Sequence, residues 1–360
     1  MTILDRYLLR RMIATFLKTA FSLVFLFVLI DFLTHRRTDV MQQDVPWGIV
    51  VQYYLTYIPH ILSDYQVAAM ALLVSALLVL GQAAQNNEVI AAMAGGISLR
   101  RLVRMPVLVA AAVTVGVLIM NETFGPAATR QAYAIEDQYF SMASLYGRPP
   151  VSWANLSGGW TCHILKFNRL ALTGENVLMN ISRGDAVEQI RADRIYWDPD
   201  RQQWILEDGR WFAFEPDWQL RVDRITQVAA PLEESPGELL ALEQPVSTKS
   251  ARTLARDIHM AERRGLPTQR LWVDFHAKLS QSFLAFVMIW LAVPFALRLR
   301  KGGLAIGFGA SLAIGLAYII TFRVGTGMGH MEQWPPLLAA WFANGVFFIT
   351  GATLFYRTGT

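Results

Sequence analysis

The sequence has little charge and almost no cysteine. Only 17% of its 360 residues are charged, whereas a soluble domain carries about a quarter. Cys162 is the only cysteine, which excludes an internal disulfide framework and a metal cluster built on cysteines. Zinc-ligand spacing, an aromatic and basic RNA motif and a basic recognition helix are also missing, so nucleic-acid binding is not expected. Hydrophobic residues make up 54% of the chain instead, which indicates a membrane protein.

Long apolar runs near both ends predict six membrane-spanning helices. A helix needs about 20 mainly apolar residues to cross a bilayer. Such runs lie at about 12–34, 47–84, 102–124, 272–297, 303–324 and 335–356. The second run is too long for one straight span. Because proline removes a backbone donor, we expect a kink at Pro59 between a helical segment over 47–58 and a span near 62–84.

The positions of lysine and arginine predict the orientation of the spans. Short loops rich in these residues stay in the cytoplasm. Four such clusters fall on one side: Arg6, Arg10 and Arg11; Arg100, Arg101 and Arg104; Arg298, Arg300 and Lys301; and Arg357. Both termini are therefore expected in the cytoplasm, with residues 127–268 in the opposite compartment. The first apolar run is too long for a signal peptide and is expected to remain as an anchor.

Residues 141–250 are expected to form a strand-rich domain between the third and fourth spans. Within 190–222, three strands alternate with Asp-Pro-Asp, Glu-Asp-Gly and Glu-Pro-Asp, which predicts turns in a β-meander. Four tryptophans are either ordinary core or the lining of an apolar trough for acyl chains: Trp197, Trp204, Trp211 and Trp218. Residues 1–140 hold the first three spans, and 251–360 hold an amphipathic helix and the last three.

The segment 85–97 predicts a short helix on the cytoplasmic side. Asn86 or Asn87 can cap it, and Glu88 lies in its first turn, where the helix dipole favours an acid. Its apolar stripe consists of Val89, Ile90, Met93 and Ile97, and the helix is expected to end at Gly95 and Gly96, before Ser98. A helix this short is unstable alone in water. We therefore expect it to lie against the membrane surface or a partner protein.

A ladder of small residues repeats every four positions in the fifth span: Gly303, Gly307, Ser311 and Gly315. Small residues let helix backbones approach closely in lipid. The ladder indicates either static packing or a face that slides and opens as a lateral gate. A phosphate-binding loop is excluded here, because Lys301 precedes the glycines instead of following them.

Ionisable residues near the span ends are candidate functional residues, because charge is costly at membrane depth. Candidate lipid-binding cations are Arg36, Arg37, Lys278 and Arg323. Asp274 stands four residues before Lys278 and is expected to pair with it. Two trios hold residue types found in hydrolases: His60, Ser63 and Asp64; and Asp274, His276 and Ser280. Neither has a nucleophile-elbow or metal signature, so an enzyme is not expected.

Several short motifs together resemble the LptF/LptG family, the permease subunits of the lipopolysaccharide exporter. The first span opens with Asp5-Arg6-Tyr7, and Glu88 precedes Met93-Ala94-Gly95-Gly96-Ile97-Ser98, which is similar to the family's coupling helix. The third span closes with Asn121-Glu122 and Pro126. The later passage carries Leu254, Ile258, Gly265, His276, Lys278 and Leu279. The resemblance covers nearly the whole chain.

The resemblance implies partners and a role. A second LptF/LptG-type permease, an LptB-like dimer of cytoplasmic ATPases and LptC- and LptA-like periplasmic bridge proteins would act with this chain. ATP and magnesium would bind in the ATPase, and this chain would bind no cofactor. The external domain would be a jellyroll in the periplasm, and Glu88, Val89, Met93, Gly95, Gly96 and Ser98 would contact the ATPase.

Two features qualify the resemblance. Family members often carry several basic residues after the third span, where this chain has Arg130 but also Glu136 and Asp137. The residues before the sixth span are closer to the LptG branch, whereas Val293-Pro294 is closer to LptF, and we favour LptG. The alternative to a permease is a membrane scaffold or assembly factor whose β domain binds periplasmic proteins.

Overall fold

The computed structural model describes residues 3–42, 44–140, 151–153, 156, 159–168, 171–183, 186–214, 220–243, 245–263, 267–298 and 303–358. The chain divides into two compact units. A helical unit comprises Met1–Tyr139 and Val246–Thr360, and a β unit comprises Phe140–Pro245. The predicted Trp218, Gly265, Arg300 and Lys301 lie outside the described residues.

The helices are α1 (Ile3–Asp31), a π-helical segment (Phe32–Arg36), α2 (Arg37–Gln42), α3 (Trp47–Ser63), α4 (Val67–Gln85), α5 (Glu88–Ala94), α6 (Leu99–Glu122), α7 (Gly125–Tyr139), α8 (Pro236–Glu243), a 3-10 turn (Val246–Thr248), α9 (Ala251–Arg263), α10 (Gln269–Arg298), α11 (Gly303–His330) and α12 (Pro336–Thr358). Helix α8 belongs to the β unit. Six described segments are long and apolar enough to cross a membrane, namely α1 with its continuation to Gln42, α4, α6, α10, α11 and α12. The predicted six spans are confirmed.

The second apolar run breaks later than predicted. Pro59 lies inside α3 and is buried, and membrane helices tolerate a missing donor where neighbouring helices cover it. The chain instead breaks after Ser63, where Gln66 adopts a left-handed conformation with φ of 60°. The two helical segments are therefore separated after Ser63 rather than at Pro59, and the separate span begins at Val67.

Helices α4 and α10 form the centre of the helical unit, and their buried apolar residues pack in one cluster. A buried polar chain also joins the last three helices. Asn344 on α12 donates to the Ser280 carbonyl on α10 at 2.8 Å, and Tyr318 on α11 donates to the Asn344 side-chain oxygen at 2.9 Å. Because these groups are satisfied by each other, they hold the three helices together at low cost in apolar surroundings.

The β unit is one antiparallel sheet of described strands in sequence order: β1 (Val151–Trp153), β2 (Thr161–Asn168), β3 (Thr173–Arg183), β4 (Ala186–Asp198), β5 (Gln203–Phe214) and β6 (Leu220–Ala229). The predicted strand-rich domain is confirmed, with α8 added to its sheet, and the strand order is that of a meander. Glu207-Asp208-Gly209, predicted as a turn, instead lies within β5. That prediction was wrong because Asp208 takes a left-handed conformation inside the strand rather than at its end.

A single row of residues interrupts the pairing of five strands, and we call this row the crease: Leu165, Asn176, Asp193, Asp208 and Thr226. Asn176 and Asp208 have φ of 56° and 49°, a left-handed conformation that asparagine and aspartate tolerate better than most residues. On each side of the crease the inward positions alternate normally. Across the crease, successive inward residues are three positions apart instead of two, as with the buried Gly174 and Val177 on β3. The sheet therefore bends along this row.

The bent sheet encloses an aromatic core. Phe167 on β2 and Trp204 on β5 have ring centroids 6.2 Å apart, whereas three strand spacings in a flat sheet span about 14 Å. Trp153, Trp160 and Trp204 are at most 5% exposed, and Trp204 Nε1 donates to the Glu234 carbonyl at 3.0 Å. The described tryptophans of this interior therefore pack as core.

The lone cysteine belongs to this core, and we expect its thiol to be unreactive. Cys162 is fully buried, and burial raises the pKa of its thiol to about 12. At pH 8 only about one thiol in ten thousand is then a thiolate, the form that reacts, and the fraction grows only as the pH rises towards the pKa. Maleimide should label the folded protein about a thousandfold more slowly than Leu165→Cys, whose position is exposed on the same strand. Equal labelling rates would contradict this burial.

Candidate functional site

Helix α5 is held between two left-handed residues. Asn87 precedes it with φ of 59°, and Gly96 follows it with φ of 80°. Gly95 N donates to the Ala91 carbonyl at 3.0 Å, and Gly96 N donates to the Met93 carbonyl at 2.9 Å. The predicted end at the two glycines is confirmed, because Gly96 adopts a conformation that glycine takes without strain.

The predicted side-chain cap of α5 is not formed. The side chain of Asn87 makes no capping hydrogen bond, and Asn86 Nδ2 donates to Glu88 Oε1 at 3.3 Å instead. Asn87 cannot act as an ordinary cap because its backbone is left-handed rather than extended. Ser98 precedes α6 with an extended backbone and likewise makes no side-chain cap bond.

The apolar stripe of α5 is divided between two directions. Val89 is 5% exposed and packs in a small cluster with Leu8 of α1 and Leu102 of α6. Ile90 and Met93 are 42% and 52% exposed. Val89 therefore anchors the helix to the bundle, while Ile90 and Met93 leave an exposed apolar surface on α5.

Glu88 is tied to the first helix. Arg11 Nη1 lies 3.6 Å from Glu88 Oε1 and donates to the Tyr7 hydroxyl at 2.8 Å, while Arg11 Nη2 donates to the side chain of Gln82 on α4. The Glu88 and Arg11 side chains are about one-third and one-quarter exposed. The acid at the start of α5 is thus positioned by α1 and still reaches solvent.

Arg36 lies in a largely buried polar cluster that joins four elements: α1, the π-helical segment, α3 and α7. Its Nη2 lies 3.0 Å from Glu136 Oε1 of α7 and donates to the Tyr53 hydroxyl of α3 at 3.0 Å. Its Nε lies 3.9 Å from Asp31 Oδ2, which also accepts from the Tyr54 hydroxyl at 2.9 Å. We call these five residues the Arg36 cluster. In this conformation the guanidinium is committed to protein acids instead of facing solvent.

The other three candidate lipid-binding cations differ in how exposed they are. Arg37 and Arg323 are exposed, whereas Lys278 is 7% exposed and its Nζ donates to the Val246 carbonyl at 3.4 Å. Asp274 pairs with His330 Nε2 at 2.9 Å, so the predicted Asp274–Lys278 pair was wrong. The spacing was right for a helical pair, but a histidine on α11 reaches the carboxylate more closely. The lipid-binding role of all four cations remains a prediction.

The small-residue ladder of α11 packs within the chain. A side chain at Gly315 would meet Met70 Sδ of α4 at 2.6 Å, and Ser311 is 2% exposed with its hydroxyl bonded to the Phe308 carbonyl. Gly307 has open space at its Cα, and Gly303 begins the helix. The exposed stripe of α11 consists of Phe308, Leu312, Leu316, Ile319, Ile320 and Val324. A gate at the ladder remains a prediction, and this stripe is the surface that α11 offers to lipid or another chain.

A comparison with protein families identifies the family of this chain. The family model described as the lipopolysaccharide export system permease LptF/LptG matches residues 6–357, nearly the whole chain. The chain belongs to the LptF/LptG family. The match does not distinguish the LptF branch from the LptG branch, and no curated protein matches the chain. Family membership makes the chain a multi-pass inner-membrane permease of lipopolysaccharide export, a transporter subunit rather than an enzyme.

The side-chain geometry of the two hydrolase-like trios agrees with a permease. His60 Nδ1 lies 3.0 Å from Asp64 Oδ2, but the Ser63 hydroxyl donates to the same carboxylate and not to His60. In the second trio, the Ser280 hydroxyl donates to the Ala340 carbonyl, and Asp274 pairs with His330. Nucleophilic catalysis by serine requires a hydrogen bond from the serine to a base such as histidine. Neither serine makes that hydrogen bond in this LptF/LptG chain.

Two residues of these clusters had no sequence signal of their own. In the sequence, Arg11 stands out only as an orienting charge, and Glu136 only as an acid after the third span. Arg11 pairs with Glu88, and Glu136 neutralises Arg36. Both pairs join residues far apart in the sequence, so a pattern of neighbouring residues does not reveal them. The one usable signal was the placement of Glu136 where LptF/LptG proteins often have basic residues.

Proposed function

We propose that this chain is the permease subunit of an ATP-driven exporter. It would extract lipopolysaccharide from the inner membrane and pass it to LptC- and LptA-like bridge proteins in the periplasm. A second LptF/LptG-type permease would complete the membrane pore, and an LptB-like ATPase dimer would bind on the cytoplasmic side. The termini and α5 would lie in the cytoplasm, and the β unit in the periplasm.

The observation that carries this proposal is the divided face of α5. A two-turn helix that is anchored through Val89 and presents Ile90 and Met93 outward has the form of a docking helix. The Arg11–Glu88 contact connects this helix to α1, the first membrane span. Movement of a bound ATPase would thereby reach the membrane helices directly.

The decisive experiment is reconstitution of the chain with its partner permease and ATPase in liposomes. We expect ATP-dependent release of lipopolysaccharide to a periplasmic acceptor protein. A complex that binds periplasmic proteins but releases no lipid with ATP would favour the scaffold instead. In that case the chain would still belong to the LptF/LptG family, but the proposed transport role would be wrong.

Helix α5 yields a specific prediction for ATPase association. Ile90→Glu and Met93→Glu each place a charge in the exposed apolar surface, and we expect at least about a tenfold loss of co-purified ATPase. Met260→Glu is the matched control, because Met260 on α9 is 53% exposed against 52% for Met93. Undiminished ATPase recovery with both α5 variants would remove this surface from the proposed interface.

A further inference from the structure

Three arginines lie side by side on the outward face of the β sheet. Arg191 of β4 is directly opposite Arg210 of β5, and Arg210 is directly opposite Arg224 of β6. All three are exposed. Neighbouring strands lie about 4.8 Å apart, so the three side chains start from one closely spaced row. We call this row the arginine row.

Such a row is unfavourable on its own, because like charges directly opposite each other destabilise a sheet. Other cations of the sheet have acid partners. Arg221 pairs with Asp223 at 3.0 Å, Arg194 with Glu207 at 3.9 Å and Lys166 with Glu175 at 3.7 Å.

No such ion pair is made by the arginine row within the described part of the chain. On these strands, Asp193 and Asp208 lie two positions from Arg191 and Arg210, at the crease. Asp223 adjoins Arg224 and pairs with Arg221 instead. The row is thus a local excess of positive charge on a sheet where Lys166, Arg194 and Arg221 each have an acid partner.

Apolar residues lie beside the arginine row on the same outward face. Phe212 of β5 is directly opposite Val222 of β6, two positions along the strands from Arg210 and Arg224. Val222 is 47% exposed, and Val187 of β4 is 40% exposed. The surface therefore pairs a line of guanidinium groups with an exposed apolar strip.

We infer that the arginine row and this strip bind the phosphate-bearing headgroup region of lipopolysaccharide. The planar guanidinium group binds phosphate oxygens through two parallel hydrogen bonds, which favours phosphate as the anion. The apolar strip would contact the lipid next to its phosphates, a contact that free phosphate cannot make. This inference rests on the proposed function, because it takes the exported lipid as the ligand.

The outward face is the side of the sheet that remains open to such a ligand. The inward face is filled by the protein's own side chains, including Trp204 and Ile164, which are at most 1% exposed. An acidic protein surface could also match the arginines by charge. It would not by itself account for the half-buried Phe212 and the exposed Val222 beside them, and we take lipid as the occupant.

The test is site-specific photo-crosslinking with the full-length chain in phosphatidylcholine nanodiscs that contain lipopolysaccharide, without ATPase or ATP. Val222→p-benzoylphenylalanine places the reactive group beside the row. We expect a lipopolysaccharide crosslink that falls at least about tenfold in the triple variant Arg191→Gln, Arg210→Gln, Arg224→Gln. It should fall similarly with lipopolysaccharide whose lipid phosphates have been removed, and between about 0.05 M and about 0.5 M salt.

The matched control removes three positive charges that already have acid partners: Lys166→Gln, Arg194→Gln and Arg221→Gln. It should retain the crosslink within about twofold. A second triple variant with lysine in the arginine row keeps the charge and should give an intermediate yield, because lysine lacks the planar fork.

Equal crosslinking in the glutamine and control triples would overturn the inference. The inference would also be wrong if the probe in membranes crosslinked only to an acidic protein. It would likewise be wrong if inorganic pyrophosphate abolished the lipopolysaccharide crosslink and the probe captured an anionic phospholipid equally well. Because no ATP is present, these outcomes are independent of the export assay. Loss of ATP-dependent release with an intact crosslink would count against the proposed function and not against this binding site.

Discussion

Replacing Arg36 by methionine is expected to lower the free energy of unfolding by about 3 to 5 kcal/mol. The substitution keeps much of the side-chain volume but leaves Glu136 and Asp31 as largely buried carboxylates without the Arg36 guanidinium. An uncompensated buried charge is far more costly than the loss of an exposed ion pair. Thermal unfolding of the purified protein in detergent, followed by tryptophan fluorescence, measures the change.

The neighbouring residue supplies the control. Arg37 is exposed, so Arg37→Met should change stability by no more than about 0.5 kcal/mol. The double variant Arg36→Met with Glu136→Met should recover a large part of the loss, since it removes both charges of the closest pair. If Arg36→Met unfolds at the same temperature as Arg37→Met, the buried ion pair described for α7 and the π-helical segment is not a stabilising contact.

This expectation also bears on the lipid-binding prediction for Arg36 and Arg37. Charge reversal at Arg36 would place a third acid beside Asp31 and Glu136, so reduced lipid crosslinking in that variant would report damage to the bundle. Arg37→Glu and Arg323→Glu avoid this problem, because both side chains are exposed. They are the informative substitutions for phosphate contacts at the membrane boundary.

A second large effect is expected at Gly351 on α12. A Cβ atom at this position would lie 2.8 Å from the Trp290 carbonyl carbon and 3.0 Å from the Leu291 nitrogen of α10. These are backbone atoms inside a helix, so they cannot move aside as a flexible side chain would. Gly351→Val should therefore separate α10 from α12 and destabilise the protein by about 3 kcal/mol or more.

The same helix offers a matched control for that substitution. A Cβ atom at Gly345 would meet no atom of a neighbouring helix within 4 Å, so Gly345→Val makes the identical chemical change without the clash. We expect normal membrane yield and thermal stability for Gly345→Val, and low yield with early unfolding for Gly351→Val. Indistinguishable behaviour of the two variants would show that the close approach of α10 and α12 is not required.

The spans were predictable because hydropathy over about 20 residues depends on composition and not on contacts. The end of α5 was predictable for a similar reason, since glycine takes the left-handed conformation that Gly96 adopts. The break after Ser63 was not, because Gln66 has no special tendency towards its φ of 60°. There the packing of α3 and α4, and not the local sequence, decides the backbone.

The candidate site was predictable only in part. Helical spacing places Val89 and Met93 on one apolar stripe that faces a partner, but the structure buries Val89 in a cluster with residues of α1 and α6 while Met93 stays exposed. A seven-residue helix has too few turns for periodicity to separate an inward from an outward stripe. Likewise, nothing near Arg36 in sequence shows that Glu136, one hundred residues later, neutralises it.

The crease has a consequence for how the β unit folds. In an ordinary strand, a slip by two residues keeps the same side chains facing inward, so a mispaired sheet can bury nearly the same apolar surface. Here each of five strands changes its alternation once, at Leu165, Asn176, Asp193, Asp208 and Thr226. A slipped strand would place its irregular step beside a regular one and expose part of its apolar face. The crease therefore fixes the register of the strands, because only in the native register does every strand bury its full apolar side.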